Sequence, residues 1–115
     1  MKPQVQFRLR IKRGEVIAIG PGKVSLLEAI ARTGSISAAG RELNMSYRRA
    51  WLLVDEINRS LTEPAVSTAA GGAKGGGTSL TPVGEELVRR YRAVEEIALT
   101  AASAELRRLT QLIAP

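Results

Sequence analysis

GSISAAGRELNMSYRRAWLLVDEINRSL, residues Gly34–Leu61, reads as two short helices joined by a tight turn. Ser35 can cap the first helix, because its hydroxyl can accept an orphan amide of the opening turn. Ile36, Ala39 and Leu43 follow at i, i+3 and i+7 and make one apolar face. Ala38, Ala39 and Gly40 are small enough to let another helix backbone approach. Asn44 interrupts the pattern, and asparagine tolerates the left-handed conformation a tight turn needs. Ser46 can cap a second, longer helix. In that helix Tyr47, Ala50, Val54, Ile57 and Leu61 share one face. With Tyr47 at zero and about 100° per residue, Arg48, Arg49, Leu52 and Arg59 lie at roughly 100°, 200°, 140° and 120°, on the far side.

A buried face thus backs onto a solvent face that opens with two arginines. That is the build of a helix-turn-helix whose second helix enters the major groove of DNA. Any helical hairpin in a small domain carries an apolar stripe, and exposed arginines are usually only solvated, so the rest of the chain has to decide.

The chain has 115 residues, enough for one domain with a helical extension. Aromatics are 3% of it, so the core is aliphatic. Residues 1–61 hold eleven Lys or Arg against five acids, and residues 62–115 hold six of each sign. The whole excess of +6 therefore lies in the part of the chain that carries the helix pair, which suits phosphate binding and equally an acidic protein partner. There is no Cys and no His. Disulfides, thiol nucleophiles, nearly all zinc sites and the commonest general base are excluded. An enzyme is not expected, nor a cofactor or metal. No apolar run approaches the ~20 residues of a membrane helix, and the start carries no signal-peptide core. A cytoplasmic protein is the expectation.

Residues 4–11, QVQFRLRI, alternate strictly and predict a half-buried strand. A turn at Lys12–Gly14 and a second strand over Val16–Ile19 would complete a hairpin. A helix is predicted from about Lys23 to Thr33, with Val24, Leu27, Ile30 and Ala31 apolar and Gly34 as the residue that closes it. After the helix pair, Pro64 prevents continuation. Ala65–Ala69 and Thr78–Leu80 predict two short strands around GGAKGGG, residues 71–77, which holds five of the eleven glycines and Lys74. That reads as a wing: glycine lets the backbone approach a groove, and Lys74 supplies the charge. The alternative is a surface loop of no consequence. A nucleotide-cradling loop is excluded, because Gly75 follows Lys74 where Ser or Thr is required.

Thr81-Pro82 starts the last helix, with Glu85 and Glu86 near its positive end. Leu87, Tyr91, Val94, Ala98 and Ala101 share a face, and Leu106, Leu109, Leu112 and Ile113 extend the pattern. An uninterrupted helix of near 30 residues would span roughly 45 Å at 1.5 Å per residue. Such a helix cannot bury its face against a domain of ~80 residues, which predicts a second copy. The alternative is a break near Thr100–Ser103.

The predicted fold class is mainly α with small β hairpins: a winged helix-turn-helix over residues 1–81 and a long C-terminal dimerisation helix over residues 82–115. With these pieces placed, the chain resembles the DNA-binding domain of the ModE family of molybdate-responsive transcription regulators. The resemblance covers roughly residues 5–95. It rests on GPGKVSLLEAI at 20–30, TGSISAAGREL at 33–43, NMSYRRAW at 44–51, GGAKGGGTSLTPVGEEL at 71–87 and Tyr91. TGSISAA also resembles the LysR-type regulators. The resemblance implies a homodimer held by the last helix together with the first, on a palindromic operator in double-stranded DNA. By position it implies that Ser35, Ser37 and Ser46 meet phosphates, that Tyr47, Arg48 and Arg49 sit at the major groove, and that Lys74 rides on the wing. Arg59 joins them on the solvent face, Trp51 is read as packing, and Leu87, Tyr91, Val94 and Ala98 are the predicted dimer face. Full-length members of that family continue into small β-barrel domains that bind molybdate, and nothing in these residues offers an oxyanion pocket. The expectation is a stand-alone regulator, or one served by a separate oxyanion-sensing protein. The rival reading is a winged-helix interaction module whose basic face binds an acidic protein.

Overall fold

The computed structural model describes residues 2–69 and 77–115. Lys74 and most of the glycine-rich stretch lie outside the described residues. The elements run β1 (Ile11–Arg13), β2 (Val16–Ile19), α1 (Pro21–Thr33), α2 (Ile36–Glu42), α3 (Tyr47–Ser60), β3 (Val66–Thr68), β4 (Thr78–Leu80), α4 (Pro82–Ala101) and α5 (Ser103–Thr110). β1 pairs antiparallel with β2, and β3 with β4, as two separate hairpins. The result is a winged helix-turn-helix with a long C-terminal helical arm, and it measures 57 × 30 × 24 Å.

The core forms where α1, α2 and α3 cross. Leu26, Leu27, Ile30, Ile36, Ala39, Ala50, Val54 and Ile57 bury almost completely, and Leu80, Leu87 and Val88 close over them. Ala31, expected on the apolar face of α1, is exposed, and Leu26 and Ala29 are buried instead. α1 also starts two residues earlier than predicted, because Pro21 occupies its first turn after Gly20. Gly34 ends it at φ 70°, and its carbonyl accepts from the Thr78 amide at 3.0 Å, which ties the β3–β4 hairpin to that end of α1. At the other end Lys23, itself buried, donates to the Ile17 carbonyl of β2 and pairs with Glu56 of α3.

The strand expected over residues 4–11 is not one. Only Ile11 belongs to a strand, and residues 2–10 have none. Alternation reports which side chains face inward, but a strand also needs a partner, and β2 is four residues long and already paired with residues 11–13. The alternation survives in burial only at its centre: Phe7 and Leu9 are half-buried between the exposed Arg8 and Arg10, whereas Val5 and Ile11 are exposed. This segment lies along α4, where Phe7, Leu9, Val94 and Ala98 line a small hollow. The Tyr91 hydroxyl donates to the Leu9 carbonyl at 2.9 Å and holds it there. Burial pushes the Tyr91 phenol above its usual range, and Glu95 adds to the shift, against opposing charges from Arg92, Arg8 and Arg10.

α4 opens as predicted: the Thr81 hydroxyl accepts from the Gly84 amide at 3.1 Å, with Pro82 in the first turn. Arg92 then joins α4 to α1. It donates to Glu28 at 2.6 and 3.0 Å and to Glu95 at 2.7 Å, and the hydrogen bond from Arg92 holds the Glu28 carboxyl below its usual range. The helix is not uninterrupted. Ala102 (φ −96°, ψ 8°) breaks it, and α5 resumes with the Leu106 amide on the Ala102 carbonyl at 2.9 Å. No residue of α5 is buried, so the tail does not fold back onto the domain.

Gly84 is the most closely approached of the described glycines. A Cβ there would stand 2.2 Å from the Ala65 carbonyl oxygen, a backbone atom that cannot swing away. Gly84→Ala is expected to lower stability by about 1–3 kcal/mol, because overpacking outweighs the roughly 0.5–1 kcal/mol that alanine gains over glycine inside a helix. Thermal unfolding checks this, and a variant melting at or above the parent temperature would contradict the contact.

Candidate nucleic-acid interface

α2, the turn and α3 are held by local chemistry. The Ser35 Oγ accepts from the Ala38 amide at 3.1 Å, and Thr33 Oγ1 donates to the Ala29 carbonyl at 2.8 Å. Asn44 sits at φ 58°. The Met45 amide donates to the Gly40 carbonyl at 2.8 Å and closes the turn. Gly40 lets α3 come close, since a Cβ there would lie 3.0 Å from the Ala50 Cβ. Ser46 caps α3 by accepting from the Arg49 amide at 3.1 Å.

These constraints present one face of α3 to solvent. Ala50, Val54 and Ile57 point inward, as expected. Tyr47 does not: it is 62% exposed, and its place on the buried face is corrected. As the first helical residue it projects past the end of the core. Its ring meets Trp51 edge-on at 6.1 Å, and Trp51 is itself partly exposed. Arg48 and Arg49 are exposed beside this pair and have no ion-pair partner among the described residues. Arg59 lies further along, 79% exposed, and pairs with Asp55 at 3.1 Å. Of the three serines, Ser46 is exposed and Ser35 and Ser37 are half-buried, all within the opening residues of α2 and α3 or just before them.

The structure therefore brings Ser46, Tyr47, Arg48 and Arg49 together at one helix end, with Arg59 about three turns away. Residues outside this set also gather there. Arg8 and Arg10 line a cavity of about 490 Å³ with Arg49, and Arg13 lines the adjoining groove with Arg49, Leu52 and Arg59. The signal for them was the acid-free run of the first fourteen residues, which the count over residues 1–61 averaged away.

The four residues of the expected dimer face divide. Tyr91 is 3% exposed and covered by its own chain, Leu87 and Ala98 are half-buried, and Val94 is 46% exposed. Ile97 (67%) and Leu109 (61%) are more open than any of the four. Among the described residues, no group of His, Cys, Asp or Glu is placed to hold a metal ion, and no helix is long and apolar enough to cross a membrane.

A capped α3 with exposed arginines at its start, flanked by small hairpins, defines the class: a DNA-binding helix-turn-helix domain of the winged type. The chain belongs to the lysR family of bacterial regulatory helix-turn-helix proteins, which it matches over residues 22–85. It is similar to the molybdenum-pterin-binding protein MopB of Rhodobacter capsulatus, 48% identical over 91 residues, which covers 75% of this chain and 34% of that protein. It is also similar to the molybdenum transport protein ModE of Azotobacter vinelandii, 42% identical over 96 residues (81% of this chain, 36% of the relative). The DNA-binding transcriptional dual regulator ModE of Escherichia coli K12 is 34% identical over 94 residues, 82% of this chain and 36% of its own. The chain thus spans about a third of the length of these relatives. The resemblance to the winged helix-turn-helix domain of ModE-type regulators stands on these matches.

Proposed function

We propose that the chain is a sequence-specific transcription regulator of the ModE type that binds a palindromic operator as a homodimer. The observation that carries the DNA reading is that Arg48 and Arg49, at the capped start of α3, are exposed and without an ion pair among the described residues. In helix-turn-helix proteins that end of the second helix meets base edges. Tyr47, Arg48 and Arg49 take the major groove. Ser35, Ser37 and Ser46 meet phosphates at the helix starts, where free amides favour anions. Arg59 extends the contact along the backbone.

Residues 1–81 act as the DNA-binding unit and residues 82–115 as the dimerisation arm. Support for the arm is its exposed apolar side chains Val94, Ile97, Leu109 and Ile113. They continue the face of Leu87, Tyr91 and Ala98. The molybdenum in the names of the Rhodobacter MopB and Azotobacter ModE relatives supports a link to that metal.

Titration of labelled duplexes across a salt series tests the reading. Binding whose logarithm falls linearly with log salt is the signature of released phosphate counterions, and a preference for one selected duplex over random sequence completes it. Absence of binding to any duplex would overturn it in favour of an acidic protein partner. Lys74 belongs to the same test. As the lone charge between Val66 and Thr81, it is assigned to a phosphate on the wing. Lys74→Ala is expected to weaken specific and random binding alike and to make the salt slope shallower by about one unit. Loss of specificity at unchanged slope would contradict that role.

A further inference from the structure

The first fourteen residues carry Lys2, Arg8, Arg10, Lys12 and Arg13 and no acid. Five of the chain's six net positive charges are therefore concentrated there. This segment precedes the part matched to the regulatory family, which begins at residue 22.

The fold sets it against α3. Lys23 ties β2 to α3 through the Ile17 carbonyl and Glu56. The Tyr91 hydroxyl pins Leu9, the residue between Arg8 and Arg10. The stem of Arg10 lies near Gly20, where an added Cβ would sit 3.7 Å from its Cγ. As a result Arg8 and Arg10 share a cavity with Arg49, and Arg13 shares the next groove with Arg49 and Arg59. Arg8, Arg10 and Arg13 are exposed and have no ion-pair partner among the described residues. Carboxylates are present, but Glu56 is paired with Lys23 and Asp55 with Arg59, which leaves Glu15. Like charges gathered round one helix repel one another unless a polyanion lies across them.

We propose that the N-terminal arm and the first hairpin form a second DNA-backbone contact, in which Arg8, Arg10 and Arg13 meet phosphates flanking the base pairs read by α3. The inference rests on α3 being the recognition helix. DNA is favoured over an acidic protein because the basic surface is continuous with Arg49, and a regular line of phosphates matches a line of guanidinium groups. β2 and β4 stand at opposite ends of α1, so the arm and the wing contact separate stretches of backbone.

The test is the full chain with Arg8→Ala, Arg10→Ala and Arg13→Ala combined, titrated by fluorescence anisotropy. Each phosphate contact contributes about 0.9 to the salt slope, so three lost contacts make it shallower by roughly 2.7 units. Specific and random duplexes should weaken by the same factor, because phosphate contacts carry no sequence information. The triple Arg→Lys variant should keep most of the slope. On a duplex trimmed to the base pairs under α3, the alanine variant and the parent should bind alike. A parent that binds DNA while the alanine variant keeps its affinity and slope overturns the arm's role and leaves α3 standing. A lysine variant that loses the slope as fully as the alanine one overturns it too, since the effect then follows folding and not charge. A parent that binds no duplex overturns the recognition helix itself.

Discussion

Replacing Arg48 or Arg49 by alanine is expected to lower affinity for the cognate duplex by about 1–3 kcal/mol each, roughly five- to 150-fold, if each arginine reads a guanine in bidentate fashion. Affinity for random duplex should fall much less, so the ratio of the two is the measurement that matters. The structure argues that these variants will fold. Both side chains are exposed and make no ion pair among the described residues. The contact Arg49 does make is through its backbone amide, which donates to Ser46 Oγ and is kept in alanine. Alanine is also the better helix former, so α3 itself loses nothing. Lysine is the informative second substitution. It keeps the charge but lacks the planar fork, so Arg48→Lys should restore random binding more fully than specific binding. If both alanine variants discriminate between duplexes as the parent does, α3 is not the reading helix.

Much of the frame that presents these arginines was legible in the sequence, because it is built from chemistry local to a few residues. Ser35, Ser46 and Thr81 cap three helices, and Gly34 and Asn44 adopt the left-handed conformation that their positions called for. The four-residue β2 and the three-residue β4 also fall where the turns placed them. The misreadings share a different origin. A helical wheel gives Tyr47 an angle but not the reach of the core, which ends before it. Alternation in residues 4–11 gives sides but not a partner strand. The cover over Tyr91 comes from Leu9, 82 residues away, and Arg92 finds Glu28 at 64 residues. No local pattern encodes such distances. The same holds for the site: the arginines of α3 could be read from one helix, whereas the approach of Arg8, Arg10 and Arg13 to Arg49 depends on how the arm packs along α4 and how Lys23 ties the first hairpin to α3. Lys74 lies outside the described residues, so its assignment to the wing rests on the sequence alone.

Removing the chain from Ala93 onward is expected to abolish the dimer and to weaken binding to a palindrome by a hundredfold or more, the lower end of the roughly 10²–10⁴ gained when two linked sites bind together. The truncated chain should still fold. Leu87, Val88 and Tyr91, which pack on the core or beneath the arm, are all retained, and Arg92 keeps its two hydrogen bonds to Glu28 while losing Glu95. Binding to a single half-site should fall far less than binding to the palindrome, since each recognition helix acts alone there. The loss appears only where two helices must reach successive major grooves about 34–36 Å apart. Ile97→Glu is the gentler version. Ile97 is 67% exposed in the isolated chain, so the charge costs the monomer little. Buried between two arms without a partner it would cost several-fold more than it does at the surface. Sedimentation equilibrium of the parent, the truncation and Ile97→Glu is the direct check, with a dimer expected for the parent alone. A parent that sediments at 12.3 kDa throughout the micromolar range, yet binds a palindrome far more tightly than a half-site, would remove the dimer and the function given to α4 and α5.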